Sequence, residues 1–360
     1  MQLKNKIIIA AAGSGKTTYL VQESIRRNTE KLLIVTYTNK NKEEIIKKFV
    51  EINGYLPANV EVKTWYSFLL SDWVRPYQNF VYPEKRIDSI FFREKPANYY
   101  IKKANIKGYY INEKNEIDKD RISDFAIQCI EKSNGKVIRR LEEIYDSIFI
   151  DEVQDMSGYD LDIFLIFFHS RINMVLVGDI RQATYSTTNS PKYKKYRGIN
   201  IIDFFQEQEK RKRCQIDYLY INHRCNQAIC DFSDNLFANL PPTKSMNTKL
   251  TGHDGLFIIK SKDVSDYIEK FKPQVLRYDS RTKIDRAINF GESKGLTFER
   301  VLIKPTKKME HYLKTGQMNL DDITLAKFYV ATTRARYSVG FISDIESINV
   351  RGVEKFKFIK

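Results

Sequence analysis

Short apolar runs alternate along this chain with longer segments in which apolar residues recur at helical spacing. Runs of four to eight apolar residues between polar turns are typical of buried strands. Strands that alternate with helices in this way favour parallel α/β layers, so we predict an α/β fold. The predicted strands are residues 7–9, 32–36, 147–150, 174–177, 218–221, 256–259, 274–278, 300–303 and 338–342.

Residues 71–145 interrupt this alternation. The segment is rich in aromatic residues and lysines, and residues 122–131 and 137–144 have helical periodicity. It is therefore predicted to be a small, mostly helical insertion in the first α/β domain, and the charge-dense stretch 207–213 indicates the next boundary. The predicted division is a first α/β domain at 1–70 and 146–212, the insertion at 71–145, and a second α/β domain at 213–360.

Composition narrows the class of protein. The chain has 360 residues, 42% of them hydrophobic, which is enough for two domains with sizeable cores. Its net charge of +15 favours a polyanionic partner such as nucleic acid, although a lysine-rich composition bias would give the same excess. Its four cysteines form no CxxC pair, no apolar run approaches the ~20 residues of a membrane span, and the first strand begins almost at once. These features predict a cytoplasmic protein with reduced thiols.

A glycine-rich loop follows the first predicted strand and precedes a predicted helix. It reads Ala-Ala-Ala-Gly-Ser-Gly-Lys-Thr over residues 10–17. Backbone N–H groups in such a loop, with the positive end of a helix, can surround a triphosphate. Lys16 would reach the β- and γ-phosphates, and the Thr17 hydroxyl would bind Mg²⁺. The alternative, a glycine-rich turn with no ligand, does not explain a lysine and a threonine at the start of the helix.

Polar groups suited to phosphate chemistry follow two other predicted strands. Asp151 and Glu152 come directly after residues 147–150, where Asp151 suits Mg²⁺ coordination and Glu152 suits a general base that polarises water. Gln182 lies in the turn after residues 174–177, where its amide can hydrogen-bond a γ-phosphate. Arg224 and Arg334 can stabilise charge on a transferred phosphoryl group. An acidic surface loop and solvated arginines are the simpler alternatives.

Eight segments, taken together and in order, resemble the UvrD/Rep/PcrA branch of superfamily 1 helicases. They are AAAGSGKTTYL, IVTYTNKNKEEI, KTWYSFL, IFIDEVQD, VLVGDIRQATY, YINHRCNQAI, ESKGLTFERV and FYVATTRAR. The resemblance implies two RecA-like domains with ATP in the cleft between them. It implies that Lys16, Asp151, Glu152, Gln182, Arg224 and Arg334 are catalytic, and that the nucleotide contacts Ala12, Gly13, Ser14, Gly15, Lys16, Thr17, Thr18 and His223.

The same resemblance implies which residues contact nucleic acid, because helicases of this kind stack bases on aromatic rings and hold the backbone with polar loops. For each aromatic residue the alternative is core packing, and residues 65–70 also have the pattern of an amphipathic helix. The implied contacts are Tyr37, Thr38, Asn39, Lys40, Thr64, Trp65, Tyr66, Tyr185, Ser293 and Lys294.

Several positions depart from the family pattern. Only Gln2 is available as an adenine-reading glutamine, and it lies too close to the loop. His223 replaces a tyrosine that stacks on the base, Thr187 replaces a stacking tryptophan, and Thr297 replaces a glutamate. The large insertion of the second domain is missing, because only residues 225–292 separate the flanking segments.

We therefore expect a compact ATP- and Mg²⁺-dependent translocase or helicase on single-stranded nucleic acid, with DNA favoured and 3′-to-5′ polarity implied by the family. Without the second insertion it should unwind duplexes weakly, or depend on a partner. The alternative is a nucleic-acid-dependent ATPase that regulates a partner such as a nuclease, for example in anti-phage defence. A degenerate binding module without activity is a third reading, which the intact motifs disfavour.

Overall fold

The computed structural model describes residues 4–93 and 101–358. Its strands are β1 (Lys6–Ala10), β2 (Leu32–Thr36), β3 (Val60–Thr64), β4 (Ser89–Phe91), β5 (Glu116–Asp118), β6 (Ser147–Ile150), β7 (Asn173–Gly178), β8 (Gln215–Leu219), β9 (Ile221–Asn222), β10 (Lys244–Ser245), β11 (Gly255–Ile259), β12 (Gln274–Arg277), β13 (Ile288–Asn289), β14 (Phe298–Lys304), β15 (Ala335–Ile342) and β16 (Val353–Lys355).

The α-helices of the same residues lie mainly between these strands. They are α1 (Lys16–Arg26), α2 (Asn39–Asn53), α3 (Trp65–Phe68), α4 (Ile106–Tyr110), α5 (Ile122–Lys132), α6 (Lys136–Ile144), α7 (Asp160–Phe168), α8 (Ile201–Lys210), α9 (Gln227–Asn235), α10 (Val264–Phe271), α11 (Lys307–Thr315) and α12 (Asp322–Thr332). A π-helical turn, Leu69–Val74, continues directly from α3.

A first six-stranded sheet has the order β3-β2-β6-β7-β1-β8. Its pairs β2–β3, β2–β6, β6–β7 and β1–β7 are parallel. Every residue of β2 and β6 is buried, as expected for central strands with helices on both faces of the sheet. Because parallel strands end at one edge, the loops after β1, β2, β6 and β7 emerge there together, which is where ligands bind in such sheets.

A second six-stranded sheet has the order β13-β12-β14-β15-β11-β16. All five of its pairings are parallel. Two six-stranded sheets of parallel strands with helices confirm the predicted α/β fold. The predicted strands correspond to β1, β2, β6, β7, β8, β11, β12, β14 and β15, and the predicted helical stretches correspond to α5 and α6.

Contacts divide the chain into two compact units. The first unit holds the described residues up to Ile9, together with Lys16–Gly178 and Tyr185–Asp217, and the second holds Ala10–Gly15, Asp179–Thr184 and the residues from Tyr218 onward. The predicted domain bounds at 1–70, 71–145, 146–212 and 213–360 stay a prediction.

Within the first unit, the described residues between α3 and β6 form α4, α5 and α6, and they also carry the short parallel pair β4–β5. No helix among the described residues is long and apolar enough to cross a membrane. All four cysteines are buried with free thiols.

Candidate nucleotide site and nucleic-acid interface

Two glycines give the loop after β1 its shape. Gly13 and Gly15 have φ angles of +74° and +79°, which L-residues with a side chain rarely adopt. A Cβ on Gly13 would lie 2.6 Å from the Oδ1 of Asn222 and 2.8 Å from the Cβ of Arg224. Gly13 is therefore required twice, by its backbone conformation and by the close approach of the segment after β9.

Backbone hydrogen bonds hold this loop in place. The Ala11 N–H donates to the Leu219 carbonyl over 3.0 Å, and the Gly13 carbonyl accepts from the His223 N–H over 2.9 Å. The Ala12 N–H donates to the Tyr329 hydroxyl of α12 over 3.1 Å. The Ser14 hydroxyl is buried and has no hydrogen-bond partner. A loop fixed from three sides with one unpaired hydroxyl has the properties of a preformed cradle for a polar ligand.

Lys16 and Thr17 are the first two residues of α1, and both are partly exposed. The helix therefore presents its free N–H groups and its positive end just after the loop. No acidic residue lies in the first turn, so no side chain of that turn competes with an anion for these donors. Sequence and structure agree here on a helix start that suits a phosphate group.

Asp151 and Glu152 begin the loop after β6. The Asp151 N–H extends the sheet by donating to the Val35 carbonyl over 2.8 Å, and its Oδ1 accepts from the Glu152 N–H over 2.9 Å. Glu152 has a left-handed φ of +56°, and its carboxylate accepts from the Gln154 side-chain amide. The strand thus ends on one buried carboxylate, and the next carboxylate follows on a residue in the left-handed region.

This donor set fits a magnesium ion that arrives with a nucleotide. The described residues contain no group of three or more His, Cys, Asp or Glu side chains that could hold a metal alone. Mg²⁺ is usually held by one or two carboxylates together with substrate phosphates and water. Thr17 and the buried Asp151 supply donors of that kind at one edge of the first sheet.

Gln182 connects a carboxylate and an arginine within the second unit. Its Nε2 donates to Oδ2 of Asp179 over 2.7 Å, and its Oε1 accepts from Nη2 of Arg334 over 3.3 Å. The backbone supports this arrangement, because the Gln182 N–H donates to the Asp179 carbonyl over 2.8 Å. The amide therefore occupies both of its hydrogen-bonding ends, which fixes its orientation.

Arg334 is only 1% exposed. Its guanidinium donates to the carbonyls of Val330 (2.9 Å) and Leu296 (3.3 Å). Burial, and secondarily the positive charge of Arg224, lower the pKa of Arg334 to about 9. Arg224 itself donates to the Thr333 carbonyl over 3.1 Å. The two predicted arginines therefore lie in one electrostatic neighbourhood.

Predicted nucleic-acid residues of the first unit meet around one cavity of about 480 Å³. Tyr37 and Tyr66 lie with their ring centroids 5.8 Å apart, and Phe92 packs edge-on against Tyr66 at 6.3 Å. Phe92 is 66% exposed. The sequence did not predict this contact, because aromatic residues are frequent in the insertion and Phe92 belongs to no motif. Predicted residues that line the cavity are Tyr37, Thr38, Asn39, Thr64 and Tyr66.

Trp65 and Ser293 have buried side chains, so core packing is the reading that the structure supports for them. Trp65 is 0% exposed, and its Nε1 donates to Asp160 over 3.0 Å. Ser293 is buried and donates to the Phe290 carbonyl over 2.7 Å. A base cannot stack on a ring that solvent does not reach. The amphipathic pattern of residues 65–70 was the signal for this outcome, and it corrects the predicted side-chain contacts.

The remaining predicted contacts are accessible to different degrees. Tyr185 is 49% exposed, Lys40 is exposed and Lys294 is partly exposed. Thr187, at the place of the expected tryptophan, is buried and hydrogen-bonds Asp160, so this position contributes to the core. His223 is exposed beside the loop. Gln2 lies outside the described residues.

Similar proteins were found among curated sequences. Gabija protein GajB of Bacillus cereus (strain VD045) is 28% identical over 300 residues, which are 78% of this chain and 56% of the relative. Exonuclease/helicase subunit RexA of Lactococcus lactis subsp. cremoris (strain MG1363) is 28% identical over 182 residues, which are 49% of this chain and 14% of the relative. The chain thus spans little more than half the length of GajB, and much less of RexA.

A solved structure of the arterivirus helicase, nonstructural protein 10, in complex with DNA has a similar fold. Its TM-score is 0.50 at 14% identity, and the similarity covers 95% of this chain and 61% of that one. At this identity the similarity shows the fold alone.

Two family models match the chain itself. Residues 1–188 match a family described as an AAA domain, and residues 114–343 match the viral superfamily 1 RNA helicase core domain. Each match covers more than half of the 360 residues. The UvrD-like motifs also occur in order along the chain, which forms two six-stranded sheets of parallel strands. This chain belongs to the superfamily 1 helicases.

Proposed function

We propose that this chain hydrolyses ATP with Mg²⁺ and uses the energy to move along single-stranded nucleic acid in the 3′-to-5′ direction, with DNA as the favoured polymer. The observation that carries the proposal is the loop after β1, whose glycines, buried free hydroxyl and helix start form a phosphate cradle. We also propose a cytoplasmic location, which the four free thiols support.

Each predicted residue of the nucleotide site receives a role in this proposal. Lys16 binds the β- and γ-phosphates, while Thr17 and Asp151 hold Mg²⁺, which neutralises phosphate charge when bound. Glu152 takes the proton of the attacking water. Gln182, Arg224 and Arg334 stabilise charge on the transferred phosphoryl group. The nucleotide itself contacts residues 12–18 and His223.

The cavity beside β4 is the proposed strand-binding surface of the first unit. Tyr37 offers a partly exposed ring, Tyr66 is only 9% exposed and supports it from behind, and Phe92 adds an exposed ring that projects from the insertion. Stacking is worth about 1–3 kcal/mol per base, or roughly 5- to 150-fold in affinity. Tyr185, Lys40 and Lys294 are proposed as further contacts.

A second candidate function is regulation of a partner nuclease by an ATPase that does not unwind processively. The name of RexA joins exonuclease and helicase, and two other Lactococcus lactis relatives are named as ATP-dependent helicase/nuclease subunits. Those names support a nuclease partner for this chain as well. Weak unwinding by the isolated chain follows from either candidate, because the second insertion is missing.

Steady-state hydrolysis of ATP, measured with and without single-stranded DNA and RNA of equal length, tests the proposal. We expect strong stimulation, greater by DNA, and at least tenfold slower hydrolysis in Lys16→Ala than in the control Lys31→Ala, with strand binding retained in both. Glu152→Gln should bind ATP but fail in single-turnover hydrolysis. Hydrolysis by Lys16→Ala within tenfold of the unmodified protein would refute the nucleotide site.

Movement is tested separately from hydrolysis. The isolated chain should displace streptavidin from a biotinylated end of single-stranded DNA at a higher rate than it unwinds a duplex of a few tens of base pairs. Efficient unwinding without a partner would contradict the compact-motor proposal, and hydrolysis without displacement would favour the regulatory candidate. Phe92→Ala should weaken strand binding, whereas Phe80→Ala, at another exposed phenylalanine of the insertion, should not.

A further inference from the structure

A second aromatic cavity lies in the second unit, at the edge of its sheet. It has a volume of about 440 Å³ and is formed by the start of β11, the end of α10 and the residues that follow the edge strand β16. Phe257, Phe271 and Phe356 supply its apolar walls. None of the predicted site residues lines this cavity, so the proposed ATPase function does not account for it.

The aromatic walls are held rigidly. The ring of His253 stacks on Phe271 with centroids 3.9 Å apart and on Phe257 at 4.5 Å, with interplanar angles of 21° and 14°. Its Nε2 hydrogen-bonds the hydroxyl of Tyr267 over 2.8 Å. Phe356 packs edge-on against His253 at 5.5 Å. Because these rings rest on the buried core around Ile259 and Leu302, a planar ligand would meet a preformed surface.

The rim of the cavity is positively charged. Lys270, Lys355 and Lys357 are exposed at the cavity, and the Lys270 ammonium lies 5.5 Å from the ring centroid of Phe271. Asp254 is the acidic residue of the lining, and its two carboxylate oxygens already accept hydrogen bonds from Thr251 over 2.7 and 2.9 Å. Lys355 also forms an ion pair with Glu346 over 3.6 Å. Even with Glu346 counted, three lysines face two carboxylates, so the rim has a net positive charge.

We propose that this cavity binds a nucleotide unit, with its base stacked on the phenylalanines and its phosphate held by Lys270 and Lys357. Its volume lies within the ~300–1,000 Å³ of small-molecule sites. Stacked bases and lysine-bound phosphates are the usual means of binding single nucleotides of a strand. The unit can come from a free nucleotide or from a strand. The excess of 15 positive charges over the whole chain favours a negatively charged ligand, and the aromatic walls favour one with a planar base.

Photo-crosslinking in the absence of ATP tests this proposal independently of hydrolysis and movement. One probe is 5-iodo-dUMP, and the other is an oligo(dT) with a single internal 5-iodouracil. We expect mass spectrometry to locate crosslinks at Phe257, Phe271 or Phe356. The double variant Lys270→Glu/Lys357→Glu should lower their yield at least fivefold. The control Lys262→Glu/Lys307→Glu changes the net charge equally on exposed lysines away from the cavity, and it should leave the yield unchanged.

The two probes distinguish the sources of the nucleotide. A crosslink from the mononucleotide supports a site for free nucleotides, and a crosslink from the oligonucleotide alone supports a site for the strand. Absence of crosslinks at the three phenylalanines with both probes would overturn the proposal. Equal yields in the two charge-reversed variants, both folded by circular dichroism, would also overturn it. Binding of an acidic peptide where neither probe crosslinks would make the cavity a protein-binding site instead.

Discussion

Tyr329→Phe removes one buried oxygen atom that the loop after β1 depends on. The hydroxyl of Tyr329 accepts a hydrogen bond from the Ala12 N–H over 3.1 Å, and both residues are buried. Burial raises the pKa of Tyr329 well above its ordinary value, so the hydroxyl stays neutral at any working pH. The variant therefore keeps the aromatic ring and leaves the N–H of Ala12 without its acceptor.

The size of the effect follows from that unsatisfied donor. A buried polar group that loses its partner costs about 1–3 kcal/mol of stability. The loss of packing is small by comparison, because Phe keeps the ring and only the hydroxyl oxygen is removed. We expect the free energy of unfolding to fall by about this amount. We also expect ATP affinity to fall by up to about tenfold, which corresponds to about 1.4 kcal/mol, because the loop is less rigidly held.

Urea unfolding and fluorescence titration with ATP measure the two quantities. Tyr312→Phe is the matched control, because Tyr312 is a buried tyrosine of α11 in the same unit and its hydroxyl does not bind the loop. If both variants lose the same stability, and both bind ATP within twofold of the unmodified protein, the hydrogen bond to Ala12 does not organise the loop. The reasoning about the preformed cradle would then be wrong.

Three further variants test other features of the molecule. Gly13→Ala should abolish ATP binding. Gly54 also has a positive φ, +83°, but open space around it, so Gly54→Ala should keep ATP binding and lower the free energy of unfolding by only the ~1–2 kcal/mol of a left-handed residue. Equal ATP binding by the two variants would contradict this. Trp65→Phe should lower the free energy of unfolding by about 1–3 kcal/mol without weakening strand binding, and weaker strand binding at unchanged stability would restore the base-stacking role. Burial, and then the charge of Arg300, lower the pKa of His253 to about 4 from 6.5, so the unfolded chain binds more protons between these values. Stability should therefore fall by up to about 3 kcal/mol as pH falls from 7 to 4, and urea unfolding of His253→Phe should show a flatter pH dependence.

The sequence predicted the strands of the two sheets well, because central parallel strands are apolar along their whole length. β2 and β6 begin and end where the pattern places them. β3 was missed because its Val-Glu-Val-Lys-Thr alternation contains two charges, and β13 was missed because it has only two residues. Both are edge strands, which pair with a single neighbour. Such strands are less buried than central strands, so they lack the continuous apolar run that predicts a strand.

The candidate site was predictable as far as it depends on local motifs. The loop at 10–17 is one continuous stretch of sequence, and the two carboxylates after β6 are adjacent residues. The residue types within each stretch therefore indicate its chemistry. Tyr329 and Phe92 are different, because each matters through a contact with residues far away in the chain. No single-sequence pattern reports such a contact, and the same limitation explains why Trp65 could be assigned to a base.

Arg334 shows how buried charge can make a site responsive to its ligand. The hydrogen-bond partners of its guanidinium are neutral oxygens, from the carbonyls of Val330 and Leu296, the hydroxyl of Thr333 and the amide of Gln182. Burying this cation is costly: burial lowers the pKa of Arg334, the charge of Arg224 lowers it further, and the carboxylate of Asp179 offsets only part of the effect. An anionic group that approached this guanidinium would relieve part of the cost, and its loss would restore it. Because the Gln182 amide also binds Asp179, such a change would be transmitted to the turn after β7. A γ-phosphate is the anion that a superfamily 1 helicase gains and loses in each cycle, so we expect this buried trio to respond to hydrolysis.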